Sequence, residues 1–233
     1  MAVLETHIAH KYRSAGFDAA NTDLSEQDPM DCTEGDQCQG WLPSYYLDRA
    51  VCRGIAFEAE VPYLAKDADT CKPLQRFLTG LKGFATVPGT ERAHAQAVNQ
   101  VPVAIAVAAN TAFQFYKGGA FPCASDSTGI NHAVMLVGYN DGVTMKSGDT
   151  WKVWYVKNSW AKTWGSGGYV MMRKDCGEFF LAGVVFVAGG GVFPGGVSLA
   201  FSTSVLSACL VLLTPRPPPS RRATLCPPPS STK

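Results

Sequence analysis

The sequence predicts an α+β protein of two lobes, and two observations predict it. Apolar residues recur at helical spacing through the first half of the chain. From residue 101 the period becomes that of short strands separated by glycine-bearing turns. A cleft between two such lobes is a natural place for a site.

The elements follow in order. Residues 2–15 read as a helix, because Leu4, Ile8 and Tyr12 recur every four residues and Gly16 supplies a stop. Ser25 is placed to cap a short turn through Glu26 and Gln27, which Pro29 is expected to interrupt by removing one of its first hydrogen bonds. Pro43 opens a second amphipathic helix over residues 43–53, with Leu47, Ala50 and Val51 on its buried face and Gly54 closing it. Residues 90–99 form a weaker helix capped by Thr90. Strands are expected at Val101–Val107, Ala133–Tyr139, Val153–Lys157, Tyr169–Arg173 and Val184–Val187.

The 233 residues are 46% hydrophobic, enough for one sizeable core or two small ones. A formal net charge of +1 gives no reason to expect a nucleic-acid partner. All nineteen acidic residues lie at or before Glu178, whereas Arg216, Arg221, Arg222 and Lys233 follow it, so residues 1–187 are mildly acidic. Past residue 188 the composition changes: Gly189-Gly190-Gly191 leads to an apolar run, Val197–Leu213, and then to a Pro-rich basic tail. Residues 188–233 are therefore expected to be a disordered extension of a domain over 1–187. The alternative is a membrane segment at 197–213, which is borderline in length, diluted by Ser and Thr, and followed by arginines that suit a cytoplasmic flank.

Eight cysteines, at 32, 38, 52, 71, 123, 176, 209 and 226, contain no CxxC pair of the kind that clamps zinc. No metal or cofactor is expected. Scattered cysteines read as disulfides formed in an oxidising compartment, yet no basic n-region and apolar h-region follow Met1. The expectation is that the true N-terminus lies upstream.

Two residues carry candidate chemistry. His132 stands at the mouth of one strand and Asn158 at the end of the next, and neighbouring antiparallel strands bring such ends together. An imidazole that activates a thiol needs an orienting partner on its other nitrogen, which a side-chain amide oxygen supplies. Taken singly, His132 reads as a structural histidine, Asn158-Ser159 as a turn, and Trp160 and Trp164 as core.

Taken together the segments resemble the papain-like cysteine peptidases, including the cathepsin L and falcipain branches. Asn131-His132-Ala133-Val134, followed by Val137-Gly138-Tyr139, matches the family's histidine strand. Lys157-Asn158-Ser159-Trp160, Trp164-Gly165 and Gly168-Tyr169 match its asparagine segment. Upstream, Leu24-Ser25-Glu26-Gln27, Asp31-Cys32, Cys38-Gln39-Gly40, Val61-Pro62-Tyr63 and Phe113–Gly119 fall in the family's order, so the likeness runs from residue 3 to about 187.

The resemblance implies a two-lobed fold with a helical left lobe, here incomplete, and an antiparallel β-barrel-like right lobe. It makes His132 the general base and ion-pair partner of a thiolate, Asn158 its orienter and Trp160 the shield of their hydrogen bond. Trp164 would line the leaving-group side. Gly40, Trp41 and Asn131 would meet substrate, and Pro43, Ile105, Ala133 and Leu181 would wall an apolar pocket for the second residue upstream of the scissile bond. It pairs Cys32 with Cys71 and Cys123 with Cys176. Cys38 is left over, and Cys52 either bonds Cys38 or stays a buried thiol, the state its helix position favours.

The departures bear on activity. Glu5 aligns with a glutamate about ten residues after the family's nucleophile, so that cysteine and the oxyanion glutamine would fall before Met1. Trp41 replaces a glycine that lets substrate backbone approach, Ala161 replaces the glycine after Trp160, and residues 140–150 lengthen a hairpin. The family works on polypeptide substrates, meets protein inhibitors, and resides in lysosomes or vacuoles or is secreted. This chain as it stands is expected to cleave nothing. The alternatives are a non-catalytic peptide- or inhibitor-binding protein and a degenerate gene fragment.

Overall fold

A computed structural model describes residues 1–18, 21–33, 40, 43–68, 70–77, 79–81, 83–122, 129–175 and, as backbone, 183–187; of Asp48 it describes the backbone alone. It has helices and an antiparallel-dominated sheet, an α+β fold. The extension over 188–233, with its apolar run 197–213, lies outside the described residues. Among the described residues no helix is long and apolar enough to cross a membrane.

The chain divides into two compact units, the first built from residues 1–85 and the second from residues 86–185. In the first unit α1 (Ala2–Lys11) buries Leu4 and Ile8, then tightens into a 3₁₀ turn at Arg13–Ala15. Gly16 ends it in the left-handed conformation that glycine adopts freely. Tyr12 thus leaves the helix, and its hydroxyl donates to the Thr79 carbonyl at 3.1 Å. Helix α2 (Gln27–Asp31) forms despite Pro29. The proline falls in the first turn, where a backbone N–H has no helical acceptor, so nothing is interrupted. Ser25 does act as a cap, accepting from the Asp28 N–H at 2.9 Å. Helix α3 (Pro43–Arg53) has the expected bounds. Gly54 follows at φ +74, where an added Cβ would run into the Phe77 carbonyl.

One buried carboxylate organises this unit. Asp28, 1% exposed, takes a bidentate grip from Arg76 (Nη2 at 2.7 Å, Nε at 2.9 Å), accepts the Ala56 N–H at 3.1 Å and lies 3.7 Å from Arg49. Arg49 is buried although helical periodicity places it outside the apolar face of Leu47 and Ala50, an unusual setting for a charged side chain. The predicted Cys32–Cys71 disulfide is present beside this cluster. Cys52 is not the free buried thiol expected of it: it too is disulfide-bonded, and among the described residues no cysteine is free. The expected Cys123–Cys176 pair and Cys38 lie outside the described residues.

The sheet has the order β1-β7-β2-β4-β5-β6-β3. Its strands are β1 (Gly83–Val87), β2 (Val103–Val107), β3 (Ala120–Phe121), β4 (His132–Thr144), β5 (Thr150–Lys157), β6 (Tyr169–Arg173) and β7 (Gly183–Val187). Helix α4 (Glu91–Val98), capped by Thr90, precedes β2, and α5 (Thr111–Gln114), capped by Asn110, follows it. The lengthened hairpin is real: β4 and β5 stay paired out to Thr144 and Thr150 through two register shifts. The core of the second unit is apolar and aromatic, with Val103, Ile105, Val107, Phe113, Leu136, Trp154, Val156 and Met172 among its most buried members. At its edge the Lys174 side chain is almost fully enclosed. Its ammonium meets Asp141 at 2.6 Å and Glu91 at 3.3 Å, over the rings of Tyr139 (4.0 Å) and Trp154 (4.3 Å).

Two outcomes are expected. Asp28→Ala strands two buried guanidiniums and should cost about 3–5 kcal/mol in urea unfolding. Acid should also destabilise the fold, because burial depresses three histidines. His7 falls to about 4, with help from Lys11 and His10, and His94 and His132 also fall below the usual 6.5. The folded state keeps them neutral while the unfolded chain takes up protons near pH 6.5. Their contribution is therefore complete above 6.5 and lost as pH drops towards 4, on the order of 3 kcal/mol for His7 alone. Burial raises Asp31 and Glu26, so the folded state protonates them first and the decline should be partly offset as pH falls from their raised pKa values to the ordinary carboxylate range, with no further gain below it. Thermal melts from pH 8 to 3 would show this; a melting temperature that is flat between 7 and 4.5 contradicts it.

Candidate active site

The β4–β5 register sets the geometry. Met135 pairs with Lys157 and Leu136 with Val156. Continued past the strand ends, that antiparallel register puts Trp160 opposite His132 and Asn158 on the diagonal, the placement in which cross-strand side chains touch. His132 Nε2 and Asn158 Oδ1 are 2.8 Å apart. The same oxygen accepts the Ser159 backbone N–H at 2.8 Å. A backbone N–H only donates, so this second bond fixes which amide atom is the oxygen, and the ring must donate to it. The neutral imidazole therefore carries its proton on Nε2 and presents the Nδ1 lone pair as a base. Among the described residues Nδ1 has no hydrogen-bond partner.

Aromatic rings enclose this pair. Trp160 stacks on the imidazole at 4.8 Å between centroids. Phe113, fully buried, stands edge-on to Trp160 at 5.6 Å and to His132 at 6.3 Å. Trp164 packs on Phe113 at 5.0 Å, and its indole N–H donates to the Gln114 carbonyl at 3.1 Å. Burial by these rings disfavours imidazolium and lowers the His132 pKa, an effect the bond to Asn158 partly offsets. Asn158 is itself 6% exposed.

The remaining predicted site residues divide. Asn131 is tied down: its Oδ1 accepts the Ala109 N–H at 2.8 Å and its own N–H donates to the Val107 carbonyl at 3.2 Å, fixing the entry to β4. Ile105 belongs to the core at 2% exposure. Strand alternation turns it inward with Val103 and Val107, and the more open face carries Ala106, register partner of the exposed Ala133. Trp164, expected to line the leaving-group side, is 8% exposed and belongs to the core cluster. Gly40 and Pro43 lie in the first unit. Gly40 is exposed at φ +88, a backbone conformation that explains a glycine there without any close approach. Trp41 and Leu181 fall outside the described residues. No described group of histidine, cysteine or carboxylate side chains has the arrangement of a metal site. Sequence reading gave no role to Phe113 or to Asn110, which caps α5 by accepting the Phe113 N–H at 2.9 Å; an Asn before a short helical turn is the signal that marks it.

Residues 2–183 match the family described as papain family cysteine protease, so this chain belongs to that family. Similar relatives include a senescence-specific cysteine protease, SAG39, from Oryza sativa subsp. indica, 36% identical over 161 residues, covering 66% of this chain and 45% of that protein. Fruit bromelain from Ananas comosus is 35% identical over 178 residues, covering 73% of this chain and 47% of that protein. The chain thus spans about half the length of the curated relatives it matches. Among solved structures, the bromelain protease from Ananas comosus in complex with the E64 inhibitor superposes with a TM-score of 0.65. It is 31% identical, over 81% of this chain and 87% of that one. A cysteine protease from Carica candamarcensis in complex with E-64 gives 0.60 at 26% identity, over 81% and 89%.

Two substitutions should move the His132 titration in opposite directions. Trp160→Ala admits water and should raise its pKa towards 6.5, whereas Asn158→Ala removes the bond that favours imidazolium and should lower it further. Imidazole NMR shifts against pH measure both, and shifts of the same sign would refute the assignment.

Proposed function

We propose that the site is the base-and-orienter half of a Cys–His–Asn peptidase, with His132 Nδ1 taking the proton of a thiol and Asn158 holding the imidazole in the tautomer that can do so. The observation that carries this reading is the Nε2–Oδ1 bond of 2.8 Å, with its direction fixed by the Ser159 N–H. Proton transfer to Nδ1 leaves a thiolate beside an imidazolium, and the thiolate attacks the scissile carbonyl. The imidazolium then protonates the leaving amine. Desolvation of the ring favours the neutral base until a thiolate stands next to it, when the opposite charge restores the ion pair. Ala106 and Ala133, paired on the open face of β2 and β4, support an apolar substrate side chain nearby. An oxidising compartment, lysosomal or vacuolar or extracellular, accords with cysteines held in disulfides.

Every described cysteine is in a disulfide, which supports a second proposal: this 233-residue polypeptide, tested alone, binds peptides or protein inhibitors without turning peptides over. Loss of a nucleophile or base costs on the order of 10⁶ in kcat in a comparable triad. A fluorogenic dipeptide assay on the purified chain should show no turnover, and turnover that E-64 abolishes would overturn the inactivity. The role of His132 is tested separately, in a longer polypeptide carrying a Cys-Gly-Ser-Cys-Trp-Ala-Phe segment upstream of Met1. Activity there should vanish with His132→Ala, and its persistence would remove His132 from the mechanism.

A further inference from the structure

The Cys32–Cys71 disulfide sits in an unusual electrostatic setting. Arg76 Nη2 lies 3.2 Å from Cys32 Sγ and 3.3 Å from Cys71 Sγ, and Arg49 Nη2 lies 3.7 Å from Cys71 Sγ. A disulfide sulfur is a weak acceptor and carries no charge, so these contacts return little while the bond is closed. Once it opens, the same guanidiniums face thiolates, and the contacts become charge-assisted. Asp28 opposes this, with Oδ1 3.5 Å from Cys32 Sγ, and Asp31 and Asp67 add negative charge on the α2 side. Asp28 is nonetheless one buried carboxylate set against Arg49 and Arg76, with Arg53 adding to the positive field at Arg49 and Lys72 next in sequence to Cys71. Burial depresses the Arg49 pKa to about 10; Asp28 opposes that fall, and Arg76 and Arg53 add to it. Cys71 is exposed and can be reached from solvent.

The loop bearing Cys71 is also fastened to α2 without the disulfide. Gln27 donates to the Lys66 carbonyl at 2.7 Å and accepts the Leu64 N–H at 2.8 Å, and Asp31 accepts the Ala68 N–H at 3.1 Å. None of these bonds involves a sulfur atom, so nothing in their geometry requires the disulfide.

We propose that Cys32–Cys71 is an exchange-labile pair, opened by a dithiol reductant into a form that Arg76 and Arg49 hold as thiolate while the first unit stays folded. The reductant's thiolate attacks the exposed Cys71 Sγ, the disulfide breaks, and Cys32 leaves as a thiolate facing Arg76. The second thiol of the reductant then attacks the mixed disulfide, releases Cys71 and closes the reductant's own disulfide. Two electrons pass from reductant to protein, and the protons go to solvent or to the protein sulfurs. A leaving thiol of low pKa departs faster, and stabilising the reduced form makes a pair more oxidising. The peptidase reading plays no part in this, and the test below does not depend on turnover.

Two measurements decide it, both on the full 233-residue chain. In the unaltered chain reduced by dithiothreitol, the iodoacetamide alkylation rate of Cys32 and Cys71, followed by peptide mass mapping against pH, should reach half its maximum below the pH of about 8.5 typical of a free thiol. Half-maximal rates at or above that pH overturn the proposal. In graded dithiothreitol buffers, Arg49→Gln and Arg76→Gln should each shift the Cys32–Cys71 equilibrium about tenfold towards the disulfide, roughly 30 mV for this two-electron couple. No shift in Arg49→Gln overturns the proposal even where Arg76→Gln fails to fold. Circular dichroism at the point where only Cys32–Cys71 has opened should keep its helical signal, and collapse there overturns the claim of a folded reduced state.

Discussion

The antiparallel pairing of β4 with β5 is the constraint on which the candidate site depends. A sheet register admits no half-steps: a slip of one residue sends every side chain to the opposite face. With Met135 opposite Lys157, the imidazole, the carboxamide and the Trp160 ring converge; one residue either way, they part. The fully buried pair Leu136–Val156 holds that register with apolar surface; past it the register shifts by one residue, and Tyr139 pairs with Trp154. Chemistry at the rim rests on packing in the middle.

Much of this was legible in the sequence, for physical reasons. Helix α3 announced both ends, because proline suits a first turn and glycine suits the left-handed stop that follows. Strand β6 was delimited by glycines before it and charge after it. His132 and Asn158 were found because one sits at each end of neighbouring strands. The misses share a cause in length and contrast. Strand β3 has two residues and α5 has four, too short to show a period, and β1 opens on glycine. The alternation Val103, Ile105, Val107 points Ile105 into the core, a placement that a pocket reading of the residue alone does not convey. No sequence rule would have buried Asp28, Arg49 or Lys174, since charged side chains are ordinarily solvated and only their partners, distant in the chain, make burial tolerable.

The two units solve the burial of charge differently. In the first, a single carboxylate serves two guanidiniums and a backbone N–H, so removing one participant uncovers several. In the second, the Lys174 ammonium is shared between two half-exposed carboxylates and two aromatic faces, so no one partner is indispensable. The first arrangement is brittle and specific, the second tolerant.

Ala161 shows how firmly the segment after Asn158 is held. It keeps φ at +64 although its methyl group makes that region costly, by about 1–2 kcal/mol for an ordinary residue. Its carbonyl accepts the Trp164 N–H at 3.3 Å, and Trp164 in turn is pinned by Gln114, so the turn is shaped by its surroundings and not by its own preference. The segment behaves as a casting whose mould outlasts a change of material. Residues here can drift in identity while the contour that carries Asn158 stays the same.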